Sequence, residues 1–263
     1  MKHLFTAILT AMAVQAGGHS LLAASGVGAI LSGQTDAPFL AAALSRFISD
    51  TRSFTSAGEL SVSRAGVDSM RIPFGVAMDQ GKLRMDVNPG TFVGAEMKTE
   101  IANLKMDRLM LIYYPDHPLR LVLPSAQTYI ELPLTNTTAL QQQAGDQAAR
   151  IQKTFVRDET AAGLPAKMYQ LSIPGGTNSQ SAFVWEAPAL NQMPVKLKVD
   201  LNGSSYTFLF RNVQQRPLDP RVFGVPANFK KQGSMMDVIR EVALANMKTS
   251  LESISNQLQD SSP

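Results

Sequence analysis

The sequence predicts a mainly β protein: one large antiparallel sheet curved around an apolar side, with a few flanking helices and a long amphipathic helix at the C-terminal end. Three observations carry this. Apolar and polar residues alternate with a period of two through most of the chain between residues 54 and 211. Clusters of Gly, Pro, Asn and Asp separate these runs, which is turn chemistry. Helices of crossover length are not interspersed between successive strands, so a parallel α/β sheet is excluded.

The first stretch of the 263-residue chain stands apart. Lys2 and His3 precede an uncharged apolar run from Leu4 to Val14, and small residues follow at Ala16-Gly17-Gly18 and Ala23-Ala24-Ser25. Residues 1–24 therefore have the layout of a secretory signal peptide, cut after Ala16 or near Ala24, and the expected location is the periplasm. The competing reading is an N-terminal anchor or a buried helix, but the run falls short of the roughly 20 residues that span a bilayer. The rest has the size of a single β domain. With 44% hydrophobic residues it has material for a core, and with no cysteine it has no disulfide, no thiolate metal site and no lipid-modified Cys. Lys and Arg number 24 against 21 Asp and Glu, and one of those cations is Lys2. No basic cluster with interleaved aromatics occurs, which argues against a nucleic-acid partner.

In chain order, residues 38–48 read as a helix, with Pro38 in its first turn and Leu40, Ala43, Leu44, Phe47 and Ile48 on one face. The period then changes to two. Phe54, Ser56, Gly58, Leu60 and Val62 face one way; so do Ile72, Phe74, Val76 and Met78, and then Leu83, Met85 and Val87. One buried and one wet face is the habit of antiparallel sheets. Asp79-Gln80-Gly81 is a turn. Residues 94–106 fit a short helix through Met97, Ile101 and Leu104. Near-continuous apolar residues at 109–114 make a strand, Pro115-Asp116-His117-Pro118 turns the chain, and strands follow near 119–123 and 128–132. Residues 135–151 look helical, with Thr137 or Thr138 as cap. Strands at 154–160, 167–173, 181–186 and 195–201 come next, with a Pro-Gly-Gly loop at 174–178. Asn202-Gly203 is the strongest hairpin signal, leading into Tyr206, Phe208 and Phe210, with Thr207 and Arg211 opposite. Period-two matching counts roughly ten strands. Residues 234–259 form the closing helix, with Ile239, Ala243, Met247, Leu251, Ile254 and Leu258 on one stripe.

Catalytic chemistry is excluded mostly by subtraction. His3 and His19 belong to the leader region, leaving His117 in a turn, where exposure is the rule. There is no G-x-S-x-G elbow, no two-His metal site, and no phosphate-binding glycine loop. Asp158 and Glu159 are adjacent in a strand and point to opposite faces, so they are not a glycosidase-like pair. The chain reads as a non-enzyme with no metal, cofactor or catalytic residue.

One part resembles a known family. The order Asp158-Glu159-Thr160, Gly163, Lys167-Met168-Tyr169, Phe183-Val184-Trp185-Glu186, Leu190, Met193-Pro194-Val195-Lys196 and Phe210-Arg211-Asn212-Val213 closes with residues 219–230, DPRVFGVPANFK. Ser53-Phe54 and residues 81–86, GKLRMD, agree more loosely. Over residues 38–231 this is similar to periplasmic proteins of the outer-membrane lipoprotein carrier superfamily, LolA/LolB-like, in an uncharacterised branch. The resemblance implies an unclosed half-barrel of about eleven strands, capped by helices, around an apolar cavity that takes a lipid or lipoprotein acyl chain. It also implies that an early-strand arginine, matched here by Arg84, holds a lid. The alternative for Arg84 is a solvated surface residue.

Combining alternation with that expectation, the candidate lining is Phe74, Met78, Leu83, Met85, Val87, Trp185, Tyr206 and Phe208, with Arg84 as the polar contact. Several of the 13 methionines fall on inward positions, and Met suits irregular apolar surfaces. The same alternation equally describes a closed core beneath helices, in which case the stripe from Ile239 to Leu258 would bind an envelope protein partner or a second copy.

Overall fold

A computed structural model describes residues 53–64, 67–114, 117–132, 151–172, 181–201 and 204–260. The expected leader, the helix over 38–48, all but Ile151 of the helix over 135–151, the 174–178 loop, the first half of the Pro115 turn and the Asn202-Gly203 turn lie outside the described residues.

The described residues form one twelve-stranded sheet that does not close into a barrel. The strands are β1 (Ser53–Arg64), β2 (Val67–Asp79), β3 (Lys82–Val87), β4 (Leu109–Tyr113), β5 (Leu119–Leu123), β6 (Thr128–Leu132), β7 (Gln152–Ala161), β8 (Leu164–Ser172), β9 (Ser181–Ala187), β10 (Met193–Leu201), β11 (Ser204–Gln214) and β12 (Lys230–Gln232). Two α-helices accompany them, α1 (Ala95–Asn103) and α2 (Met235–Asp260). The spatial order is β12-β6-β5-β4-β3-β2-β1-β11-β10-β9-β8-β7. All neighbours are antiparallel except β12, which joins β6 in parallel. The predicted antiparallel sheet stands. The added strand is the three-residue β12, too short to show a period.

Local chemistry explains the turns. Gln80 and Gly81 both have positive φ, 47° and 84°, and so do Ala162 and Gly163, at 54° and 80°. Two successive left-handed residues make the type I′ turns whose twist suits a tight hairpin. The β7–β8 turn thus falls on Ala162-Gly163, just ahead of the Gly163-Leu164-Pro165 read from sequence. Asn212, at φ 54°, sits where β11 carries one extra residue against β1 between Thr55 and Ala57. The Ser56 hydroxyl lies in that bulge and donates to the Arg211 carbonyl at 2.7 Å.

The sheet has two unequal faces. The inner face carries one continuous apolar cluster with contributions from every strand except β7 and β12, and it includes Val238 and Val242 of α2. The outer face carries two smaller clusters. One, at the β8–β10 end, gathers Met168, Trp185 and Val195. The other gathers Met110, Ile112, Val122 and Phe223 beneath the segment that follows β11.

Helix α2 starts at a reciprocal cap: the Ser234 Oγ accepts from the Asp237 N–H at 3.2 Å and donates to its carboxylate at 2.7 Å. It docks through Val238 and Val242, both buried. Farther on, the Asn246 amide donates to the Asn103 carbonyl at 3.0 Å, tying α2 to the end of α1. The stripe read from sequence lies largely away from the sheet. Ile239 is only half-buried, and Ala243, Met247 and Leu251 face solvent. The helix meets the sheet one position away from the stripe's axis, because β-branched Val238 and Val242, four apart, make the contact.

Candidate functional site

The inner face is the largest apolar surface the fold builds. Its centre is β1–β3 with β11. Phe54, Met78 and Leu83 are essentially fully buried there, and Phe74, Met85 and Phe208 nearly so. Antiparallel register sets them side by side: Met78 pairs with Phe54 and Leu83, Phe74 with Gly58 and Val87, and Phe208 with Leu60. Val87 and Tyr206 are half-buried and pack against the cluster. Seven of the eight apolar residues read from sequence therefore share one surface.

Gly58 is what lets the aromatics pack. A Cβ at this position would lie 2.2 Å from the Phe74 ring, so the ring occupies the space a side chain would need. Phe210 then meets Phe54 and Phe74 edge-on, at centroid separations of 6.3 and 5.8 Å. Sequence reading put Phe210 on the inward side with Phe208, as found, but did not count it among the lining. It also missed Leu111, Leu121 and Ile130 on β4–β6, where apolar runs on both faces hide the period.

Trp185 does not join them. It is buried on the opposite face, with Met168 and Val195, and the Lys196 ammonium sits 4.1 Å from its ring centroid. Along β9 the inward residues are Ala182 and Val184, whereas Phe183 and Trp185 point outward. A β-bulge between Pro194 and Lys196 turns Val195 to that same outward side. The expected lining role of Trp185 is corrected by the alternation of its strand. The buried indole N–H has no partner at ordinary hydrogen-bond geometry. Its proximity is the leading reason that the Glu159 carboxyl lies below the usual carboxylate range, ahead of Arg157.

Arg84 is also on the outer face, as the alternation with Leu83 and Met85 requires. Its guanidinium makes a two-bond pair with Asp86 at 2.8 and 2.9 Å and donates to the Val222 carbonyl at 3.2 Å. The segment it bonds to is the one beyond β11 that lies over Ile112 and Val122. In that segment Asp219 caps a 3₁₀ turn (Pro220–Phe223) by accepting from the Arg221 N–H. Phe223 is fully buried and edge-on to Tyr114. The run from Asp219 to Lys230 quoted above is this strap.

His117 is exposed, its ring edge-on to Tyr114 at 5.9 Å. Among the described residues no group of three His, Asp or Glu side chains is placed to hold a metal ion.

An open cleft of about 350 Å³ lies where β3 ends and the longer β1–β2 hairpin runs on. It is a cleft of the outer face: the row Gly58, Phe74, Val87 and Leu109, which turns inward, runs beneath it, and Asp86, Thr91 and Arg108 contribute polar groups.

No protein-family model matches the chain, and no curated protein matches it. Solved structures do. A LolA superfamily protein of Nitrosomonas europaea is similar over 69% of this chain and 96% of its own, at 11% identity and a TM-score of 0.35. The Mycobacterium tuberculosis lipoprotein LppX is similar over 69% and 98%, at 13% identity and 0.39. Pseudomonas aeruginosa MucB, solved in complex with MucA, is similar over 71% of this chain and 61% of its own, at 14% identity and 0.41. What this chain can do follows from its own side chains.

Proposed function

We propose that this protein is an envelope carrier that holds a lipid or lipoprotein acyl chain against the inner face of its sheet, in the periplasm. The observation that carries the reading is the single apolar cluster spanning ten strands on one face, partly covered by α2 through two valines. Among the described residues the helical cover of that face is the start of α2, through Met235, Val238 and Val242.

Magnitudes favour exchange. Burying Val238 and Val242 contributes about 1.5–3 kcal/mol each before ordering costs. A 14-carbon chain contributes roughly 10 kcal/mol gross at ~0.8 kcal/mol per methylene, also before ordering costs. By this comparison an acyl chain can compete with the first turns of α2 for this face. No polar partner is required for that step, which suits a carrier that must release its cargo.

A second reading is favoured by one observation. Leu244, Met247 and Leu251 are 59%, 62% and 65% exposed on α2. In this reading the sheet is a filled scaffold and α2 binds an envelope protein. Native mass spectrometry of protein purified gently from bacterial envelopes separates the two. Co-purified lipid that is lost on exchange into detergent supports the carrier. Lipid-free protein that refuses added fatty acid, together with a second polypeptide retained through α2, supports the scaffold.

A further inference from the structure

We infer that an anionic head group, a carboxylate or a phosphate, takes the place of the Glu241 carboxylate beside Lys230, Gln232 and Thr128 when an acyl chain lifts the first turns of α2 from the inner face. This rests on the acyl-chain reading and adds to it the charge and position of the head.

Place comes first. Strand β12 pairs with β6 in parallel, with Lys230 beside Thr128 and Gln232 beside Ile130. Laterally paired residues turn to the same face, and along β6 residues 128, 130 and 132 alternate together. Ile130 and Leu132 belong to the inner cluster. Lys230, Gln232 and Thr128 are therefore on the inner side, at the edge of the sheet. Glu241 meets Lys230 and Gln232 from α2. It stands three residues after Val238 and one before Val242, the two valines that dock the helix on the inner cluster. A chain that displaces those valines can leave its head at this edge.

Chemistry comes second. The Lys230 ammonium donates to both Glu241 oxygens, at 2.9 and 3.1 Å, and the Gln232 amide donates to one of them. This edge thus already holds a carboxylate, and the Glu241 carboxyl lies below the usual range, first because Lys230 donates to it. The Thr128 hydroxyl is buried and has no hydrogen-bond partner among the described residues. A buried hydroxyl left unpaired is uncommon and costly. Glu241, fixed to its helix, satisfies two of the three donors. A head group on a flexible chain is free to reach the third as well.

Exchange comes third. The side chains of Lys230 and Glu241 are both largely exposed. Such a pair is weak in water and open to a competing anion. An uncharged chain that lifts α2 leaves Lys230 without its partner, whereas an anionic one replaces it.

The test is calorimetric binding of decanoate, decyl phosphate and uncharged 1-decanol to the full chain and to four variants. In the unmodified protein at least one anionic probe binds roughly 10-fold tighter than 1-decanol. The stronger of the two anions identifies the head-group class. Lys230→Gln erases that preference. Thr128→Val weakens the anions several-fold without lowering the thermal midpoint of the free protein, because the hydroxyl has no bond to lose there. Glu241→Gln tightens all three probes, since no carboxylate then competes, and keeps the preference. Arg211→Gln, which removes an exposed cation of the outer face, changes nothing. Bound anion also raises amide exchange over residues 235–242 of α2. Equal binding of the three probes overturns the inference while leaving the acyl-chain reading intact. So does an anion preference that survives Lys230→Gln or is lost equally in Arg211→Gln. So do anion binding untouched by Thr128→Val, a midpoint lowered by that change, probes that bind no tighter to Glu241→Gln, or unchanged exchange over 235–242. Binding of none of the probes overturns both.

Discussion

Strands β4 and β7 belong to one sheet and yet live in opposite surroundings. In β4, Met110 and Ile112 are buried on the outer face while Leu111 and Tyr113 are buried on the inner face. In β7, every residue from Gln152 to Asp158 is exposed, and Phe155 and Val156 are 50% and 41% accessible. The difference lies in what covers the strands. Over β4 the outer face is closed by the strap after β11, with Phe223 seated on Ile112 and Val122. Strand β7 ends the sheet, and its described neighbour is β8 alone. Its sequence fits that position: Lys153, Arg157, Asp158 and Glu159 are charged, and a bulge between Phe155 and Arg157 bends the strand, both of which discourage edge-to-edge pairing. A strand of this sheet is therefore as apolar as the number of its covered faces requires.

The comparison can be broken most directly at two phenylalanines. Phe223→Ala should cost about 3–5 kcal/mol of unfolding free energy, the range for deleting a fully buried ring. Phe155→Ala at the β7 edge should stay within about 0.5 kcal/mol, as surface changes do. Urea unfolding of the two variants measures both, and similar losses would show that the strap does not stabilise β4. Next in size is Gly58→Val. The Phe74 ring occupies the site of the new side chain, so overpacking should cost about 1–3 kcal/mol. In a Phe74→Ala background most of that penalty should vanish, and a thermal-unfolding double-mutant cycle reads the coupling.

Arg84→Gln sharpens the comparison by loosening the strap without emptying the core. Removing the bonds to Asp86 and the Val222 carbonyl should cost about 1 kcal/mol, discounted because the guanidinium is part-exposed. Hydrogen exchange should rise within Asp219–Gly224 and not at β7.

The smallest effect is a pH dependence at the β6–β12 edge. The Glu131 carboxyl lies below its usual 4.5, chiefly because the Lys231 ammonium donates to it, with Arg120 adding to the effect. A lowered carboxyl contributes stability above its unfolded value, and that contribution is lost as pH falls through the lower folded value. Glu131→Gln should therefore flatten the thermal midpoint between about pH 5 and about pH 3 relative to the unmodified protein. An unchanged slope would show that the pair does not hold β12.

Much of the sheet was legible because its central strands have one wet face. Phe74, Met78, Leu83 and Met85 were placed correctly by alternation alone. The period fails where both faces are covered: nothing in the LMLIY run of β4 says which residue points where. It fails also where one residue is inserted, as at Val195; Trp185, by contrast, points outward through the regular alternation of β9 with Ala182 and Val184. The strap was visible as the run from Asp219 to Lys230, but its role was not, since Phe223 finds its partners through contacts more than 100 residues away in sequence. The cleft beside Arg108 left no sequence signal, because it is made by the place where β3 stops.

The central claim is that an acyl chain lies on the inner face. Irradiating the protein with a diazirine-bearing fatty acid and mapping the labelled peptides by mass spectrometry tests it directly. Labels should fall on β2, β3 and β11, at residues such as Met78, Met85 and Phe208, and should diminish when unlabelled fatty acid competes. Labels confined to Trp185 or to the Phe155 edge, or labels that competitor leaves unchanged, would contradict it.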